Sequence, residues 1–137
     1  ETWVHAHPNG IVIHTAAVGD YAVSAPAEGQ KIPSGQIGIE LKLVPTPKIL
    51  DHIKTWSPAV FLVSFKAAPP GTATDALITL TSKQAARTKS ELVFGNILGQ
   101  VGRGVVLVSA EKAQLFDERA NAVHELLLRV EQVRGRA

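Results

Sequence analysis

Two charged residues, Asp20 and Lys31, bracket a loop of small and turn-forming residues in the stretch "HTAAVGDYAVSAPAEGQK" (14–31). A carboxylate at the end of an apolar run can hold a divalent cation or the hydroxyls of a ribose. It can equally serve as a turn residue bonding its own backbone. Lysine is a flexible point charge, suited to phosphates whose charge grows during a reaction. A mobile loop could deliver Lys31 only when substrate is bound; a solvated surface lysine is the plainer alternative. The five histidines invite a metal reading. His5 and His7 alternate, which would put both on one strand face, but no third ligand follows at zinc spacing, and surface histidines are the better reading. His14, inside an apolar run, reads as a core or site-lining residue. The signatures G-x-x-x-x-G-K-[ST], G-x-G-x-x-G and G-x-S-x-G are absent. "GQVGRG" (99–104) is glycine-rich but lies between two strand-like runs, so it reads as a turn.

The elements that must position these groups follow from hydrophobic patterning. "GIVIHTAA" (10–17) is an apolar run with β-branched residues, as expected of a strand buried on both faces in a parallel sheet; "AVFLVSF" (59–65) reads as a second buried strand, and "ELVFGN" (91–96) and "GVVLVSA" (104–110) as two more strands. "QIGIELKLV" (36–44) alternates Ile37, Ile39, Leu41 and Leu43 with polar residues, which predicts a half-exposed antiparallel or edge strand. With four apolar side chains on one face, it is expected to pair with a twin and support self-association. "PTPKILDHIKTW" (45–56) predicts a helix with Thr46 as N-cap and Pro47 at the first position, and with Ile49, Ile53 and Trp56 on one face. Residues 72–88 are ambiguous and are read as helix. "NAVHELLLRVEQV" (121–133) predicts an amphipathic helix with a stripe of Ala122, Leu126, Leu127, Val130 and Val133. Strands alternating with helices imply an α/β sheet covered on both faces. Ligands of such sheets bind beyond the carboxyl ends of the strands. That singles out Ala16 to Asp20, Phe65 to Ala68, and Asn96.

Composition narrows the function classes. The 137 residues are 45% hydrophobic, enough for a core and too much for a disordered chain. Fourteen Lys and Arg against twelve Asp and Glu give a formal charge of +2, scattered rather than clustered, which is no nucleic-acid footprint. There is no cysteine, so neither a disulfide framework nor thiolate chemistry is available. No apolar run approaches membrane-spanning length. The start at Glu1 without an initiator Met suggests a piece of a longer protein.

Taken in order, "AAVGDY", "KIPSG", "PTPKIL", "WSPAVFLVSFKAAP", "ELVFGNIL" and "VVLVSAEKAQLFDERANAVHELLL" resemble the phosphopantothenate–cysteine ligase family across about residues 10 to 130. The fold that this implies is α/β: a Rossmann-like, mostly parallel sheet flanked by helices, with an antiparallel strand and hairpin extension. The chain would form one domain over 1–137, itself part of a larger domain. The implied activity belongs to coenzyme A biosynthesis. ATP or CTP, with Mg²⁺, activates the carboxylate of 4′-phosphopantothenate as an acyl-nucleotidylate, which the amine of cysteine then attacks. The resemblance also implies a homodimer in the cytoplasm. It suggests a link to a flavin-dependent decarboxylase domain of the same pathway, and no nucleic-acid or membrane partner. Carried over by position, Lys31 is the essential lysine. Asp20 sits by the nucleotide and its magnesium. His14, Thr15 and Ala16 line base and ribose, Pro47, Lys48, Ile49 and Leu50 touch the nucleotide, and Phe65 lies beside the base. The helix lysine falls at Lys83, or one residue on at Gln84; a second falls on Arg87 or Thr88. Pro33 stands where a further lysine is usual, and Lys48 where CTP-using members carry an acid, which tilts the expectation toward ATP. "SFKAAP" lacks the usual glutamate. The family's N-terminal Gly-Gly-Thr and Asn-x-Ser-Ser-Gly segments are missing, so this piece is not expected to complete the reaction alone. The alternative is a non-catalytic nucleotide-binding or dimerisation module of the same descent.

Overall fold

Three strands of this chain withdraw half or more of their side chains from water, and the fold is organised around them. The computed structural model describes residues 1–24, 35, 38, 40–100, 102, 104–110 and 112–135. They fall into two compact units: Glu1–Ala16 with Leu50–Ala137, and Ala17–Ile49.

The first unit holds a five-stranded sheet. Its strands are β1 (Ile11–His14), β4 (Phe61–Ala68), β5 (Leu92–Ile97), β6 (Val105–Val108) and β7 (Ala113–Phe116), in the order β1-β4-β5-β6-β7. β1, β4 and β5 run parallel; β6 returns antiparallel to β5, and β7, antiparallel to β6, runs in the direction of the parallel strands. Helix α1 (Thr2–Ala6) precedes β1, α2 (Ile49–Trp56) and α3 (Thr74–Thr88) flank β4, and α4 (Arg119–Arg134) closes the chain. The period-2 alternation of the central strands sends side chains to two cores. Val63, Leu92, Phe94, Val105 and Leu107 meet Ala122 and Leu126 of α4 on one face. Ala68, Ile97, Val106 and Val108 meet Leu77 of α3 on the other, where α2 also seats Ile53 on Val60 and Leu62. Gly95 is obligatory here: a Cβ at that position would run into the Thr81 side chain, so α3 can lie close to β5 only over a bare backbone. Glu91 ties the amino end of the sheet together. Its carboxylate accepts from the Leu62 amide at 2.7 Å and from Lys54, whose nearly buried ammonium also reaches the Val60 carbonyl.

The second unit is a two-stranded antiparallel ribbon, β2 (Tyr21–Val23) against β3 (Leu43–Pro45), in the register Tyr21↔Pro45 and Val23↔Leu43. All six strand residues are exposed. The pairing continues through the Ser24 amide to the Lys42 carbonyl (2.7 Å) and the Thr46 amide to the Asp20 carbonyl (2.9 Å).

The α/β architecture with an antiparallel extension is observed, and the ambiguous stretch 72–88 is the helix α3, but β6, which strand–helix alternation assigned to a parallel sheet, runs antiparallel because no described helix separates it from β5. Several local expectations are corrected. The first run is a strand only over Ile11–His14; it is an edge strand, half-buried, with Ile13 44% exposed, because among the described residues nothing pairs its other side. His5 lies in α1 and His7 at its C-cap, not on a strand; the His7 ring stacks on Trp3 at 4.6 Å. The helix expected from Pro47 begins at Ile49, because both Thr46 polar groups are engaged in the ribbon, its hydroxyl donating to the Gly19 carbonyl. Of the alternating run 36–44, only its last two residues enter a strand in the described chain; Ile37 and Ile39 lie outside the described residues. Leu127 of α4 is exposed rather than part of the buried stripe. β2 and α1 carried no legible pattern.

Candidate functional site at the carboxyl end of the parallel strands

Parallel strands that stop at different points leave a step, and this sheet has one. β1 pairs with β4 only as far as His14↔Ser64, whereas β4 continues beside β5 through Ala67↔Asn96 and Ala68↔Ile97. Phe65 is therefore the first β4 residue without a β1 partner. It sits inside the strand, not after it as the sequence suggested, and Asn96 likewise lies within β5. Thr15 and Ala16, which leave β1 at this step, are exposed; His14 is half-buried at its last pair. Open backbone groups and small side chains at the carboxyl end of a parallel sheet form the place where α/β proteins hold ligands.

Both sides of Phe65 are supported. Its ring lies 5.3 Å from Phe94 at a tilt of 36°, on the α4 face, and the Arg119 guanidinium covers Phe94 at 5.6 Å. Its carbonyl accepts a hydrogen bond from Gln84 Nε2 at 3.0 Å. Gln84 is buried on α3, while Lys83, the residue favoured from the sequence, is exposed on that helix. The shifted register, weighed only as an alternative, thus names the side chain that reaches the strand end. Sequence reasoning did not find the hydroxyls beside it. Ser64 bonds Ser90 at 2.9 Å, and Ser90 bonds Thr88 at 2.7 Å. The available signal was a serine set in the otherwise apolar "FLVSF", opposite a Gln and a Thr four residues apart on one helix face.

In the second unit, Asp20 and Lys48 come together, with Oδ1 and Nζ 3.8 Å apart; both side chains are well exposed. Pro47 and Ile49 are exposed beside Lys48, and Leu50 is half-buried at the start of α2. Lys31 lies outside the described residues, as do Pro33 and most of the loop that carries them. Among the described residues no three His, Cys, Asp or Glu side chains gather as a metal site. A lone exposed carboxylate already facing an ammonium does not fit a resident magnesium ion. A magnesium ion here would travel with a triphosphate as part of the substrate. At the opposite, amino end of the sheet a cleft of about 580 Å³ opens between α3 and the β6–β7 hairpin, lined by Ala85, Lys89, Ser90, Ser109 and Lys112.

Residues 2–129 match the family model described as "DNA/pantothenate metabolism flavoprotein C-terminal domain". The chain belongs to this family. The ligase resemblance carried by its motifs stands within it. The chain is 43% identical over 107 residues to the coenzyme A biosynthesis bifunctional protein CoaBC of Thermococcus kodakarensis, a match covering 76% of this chain and 26% of that protein. It thus spans about a quarter of the curated relative. Among solved structures, the DNA/pantothenate metabolism flavoprotein from Streptococcus pneumoniae superposes with a TM-score of 0.81 at 22% identity, over 96% of this chain and 67% of that one. A Cab2 mutant in complex with phosphopantothenate-cysteine superposes at 0.58 and 23% identity, over 89% and 44%. At these identities the structural matches speak for the fold. No described helix is long and apolar enough to cross a membrane.

Proposed function

We propose that this chain is the ligase-type portion of a coenzyme A biosynthesis enzyme, joining 4′-phosphopantothenate to cysteine at the expense of a nucleoside triphosphate. The observation that carries the reading is the family match over 2–129, on a sheet whose carboxyl end is stepped open at His14 and Phe65. In the first half-reaction a carboxylate oxygen of phosphopantothenate attacks the α-phosphorus of Mg·ATP or Mg·CTP. A P–O bond forms, pyrophosphate leaves, and an acyl-nucleotidylate results. In the second, the cysteine amine attacks the acyl carbon, the nucleoside monophosphate leaves, and the amine gives up a proton.

His14, Thr15 and Ala16 contact base and ribose, and the backbone at Ala16 and Phe65 reads the base. A carbonyl accepts where an exocyclic amine donates, and adenine and cytosine both carry such an amine. Asp20 lies by the nucleotide, with Pro47, Lys48, Ile49 and Leu50 along it. Lys31 meets the charge growing on the phosphates. Lysine at position 48 cannot accept from a cytosine amine, which favours ATP or weak discrimination over strict CTP use. The protein works as a homodimer, in the company of a flavin-dependent decarboxylase domain. Incubating the full-length enzyme that carries this chain with phosphopantothenate, cysteine and Mg·ATP or Mg·CTP, and following pyrophosphate and the condensed product by mass, tests the reading. A non-catalytic nucleotide-binding module is favoured only by the engagement of Asp20 with Lys48. It would bind nucleotide and release no pyrophosphate.

A further inference from the structure

Gln84 closes a ring of hydrogen bonds inside the first unit. Its Nε2 donates to Ser64 Oγ (3.1 Å); Ser64 shares a hydrogen bond with Ser90 and Ser90 with Thr88; the Thr88 hydroxyl returns to the backbone carbonyl of Gln84 at 2.8 Å. A ring of this kind leaves the amide little freedom to turn. From that fixed position Nε2 also donates to the Phe65 carbonyl.

The strand geometry explains why that carbonyl needs a side chain. Backbone groups of successive β4 residues point alternately to the two neighbouring strands. The Phe61 amide bonds the Gly10 carbonyl just before β1, while Leu62 faces the β5 side, exchanging bonds with Glu91. Phe65 therefore faces the β1 side, and the β1 register has ended one residue earlier. A half-buried carbonyl left there without a donor would be costly and free to tilt. Gln84 takes the place of the missing strand.

We propose that Gln84 is a positioning residue for nucleobase recognition. By occupying one lone pair of the Phe65 carbonyl, it fixes the other for the exocyclic amine of the base. This rests on the nucleotide reading above. It makes preference for amino-bearing over keto-bearing bases depend on α3 through the Phe65 carbonyl.

The test is the ratio of dissociation constants for ATP over ITP and CTP over UTP, measured by titration in wild type, Gln84→Met and Gln84→Lys, with melting temperatures alongside. Met keeps the length and loses the donor; Lys keeps a donor. The wild type is expected to favour the amino base. Met should lower that preference about tenfold, on the order of one polar contact, while Lys keeps it within about threefold. An unchanged preference in the Met variant, or equal losses in Met and Lys, would overturn the proposal. Should Met fail to fold, the Lys variant decides: a retained preference supports the proposal and a lost one overturns it. A wild type that binds triphosphates without base preference overturns the role of Gln84 alone. A wild type that binds no triphosphate overturns the nucleotide reading with it.

Discussion

The two units of this chain are held together by different physics. In the sheet unit, Leu62, Val63, Phe94 and Leu107 are wholly withdrawn from water, and the buried polar side chains all have partners. In the ribbon unit every strand residue is exposed, and among the described residues the cross-links are a few backbone bonds, the Thr46 hydroxyl and the solvated ion pair of Asp20 and Lys48. Hydrophobic burial fixes the first; the described strands of the second bury little apolar area with which to offset their chain entropy. The residues that the motifs nominate for chemistry divide accordingly. Those on the sheet are backbone and packing groups that can hold a base. Asp20 and Lys48, described in 17–49, are exposed charges that can answer a phosphate without cost to the core.

That contrast can be attacked in order of effect. Phe94→Ala removes a fully buried ring shared with Phe65 and Arg119, and should cost about 3–5 kcal/mol in denaturant unfolding. A loss below about 1 kcal/mol would mean the sheet core is looser than its burial indicates. In the full-length enzyme, Lys31→Gln should lower turnover by about 10²–10³, the range seen when one charge-stabilising donor is lost, with an unchanged melting temperature. Near-normal turnover would remove Lys31 from the chemistry. Glu91→Ala orphans the Leu62 amide and leaves the Lys54 ammonium short of its partner; about 1–3 kcal/mol of stability should go, with nucleotide affinity retained. Lys48→Ala should change stability by no more than about 0.5 kcal/mol, as its ion pair with Asp20 is exposed. Lys48→Asp, in contrast, should raise relative use of CTP in paired kcat/KM measurements. A wild type already favouring CTP a hundredfold would show that position 48 does not set the choice of nucleotide.

Much of the sheet was legible because its strands announce burial. "AVFLVSF", "ELVFGN" and "GVVLVSA" are runs with no other stable destination than a covered sheet, and β4, β5 and β6 fall on them. β2 and α1 were not legible: Tyr21–Val23 is three exposed residues whose strand character comes from its partner β3, and α1 is a single turn-and-a-half with one buried residue, Val4. The helix start at Ile49 was misplaced because a Thr-Pro pair signals an N-terminus locally, while the Thr46 groups are spent on a ribbon contact 27 residues away in sequence. Of the site, Phe65 and His14 were found through the strand ends. Gln84 was only half found, since its role depends on where β1 stops, a fact of pairing that no local pattern contains.

The most direct measurement is hydrogen exchange of the protein with and without saturating Mg·ATP or Mg·CTP, read peptide by peptide. Slowed exchange is expected at 14–16 and 64–66, with β6 and β7 and the cleft beside Lys89 and Lys112 unchanged. Protection confined to that cleft, or no protection anywhere in the chain, would contradict a nucleotide site at the carboxyl end of the parallel strands.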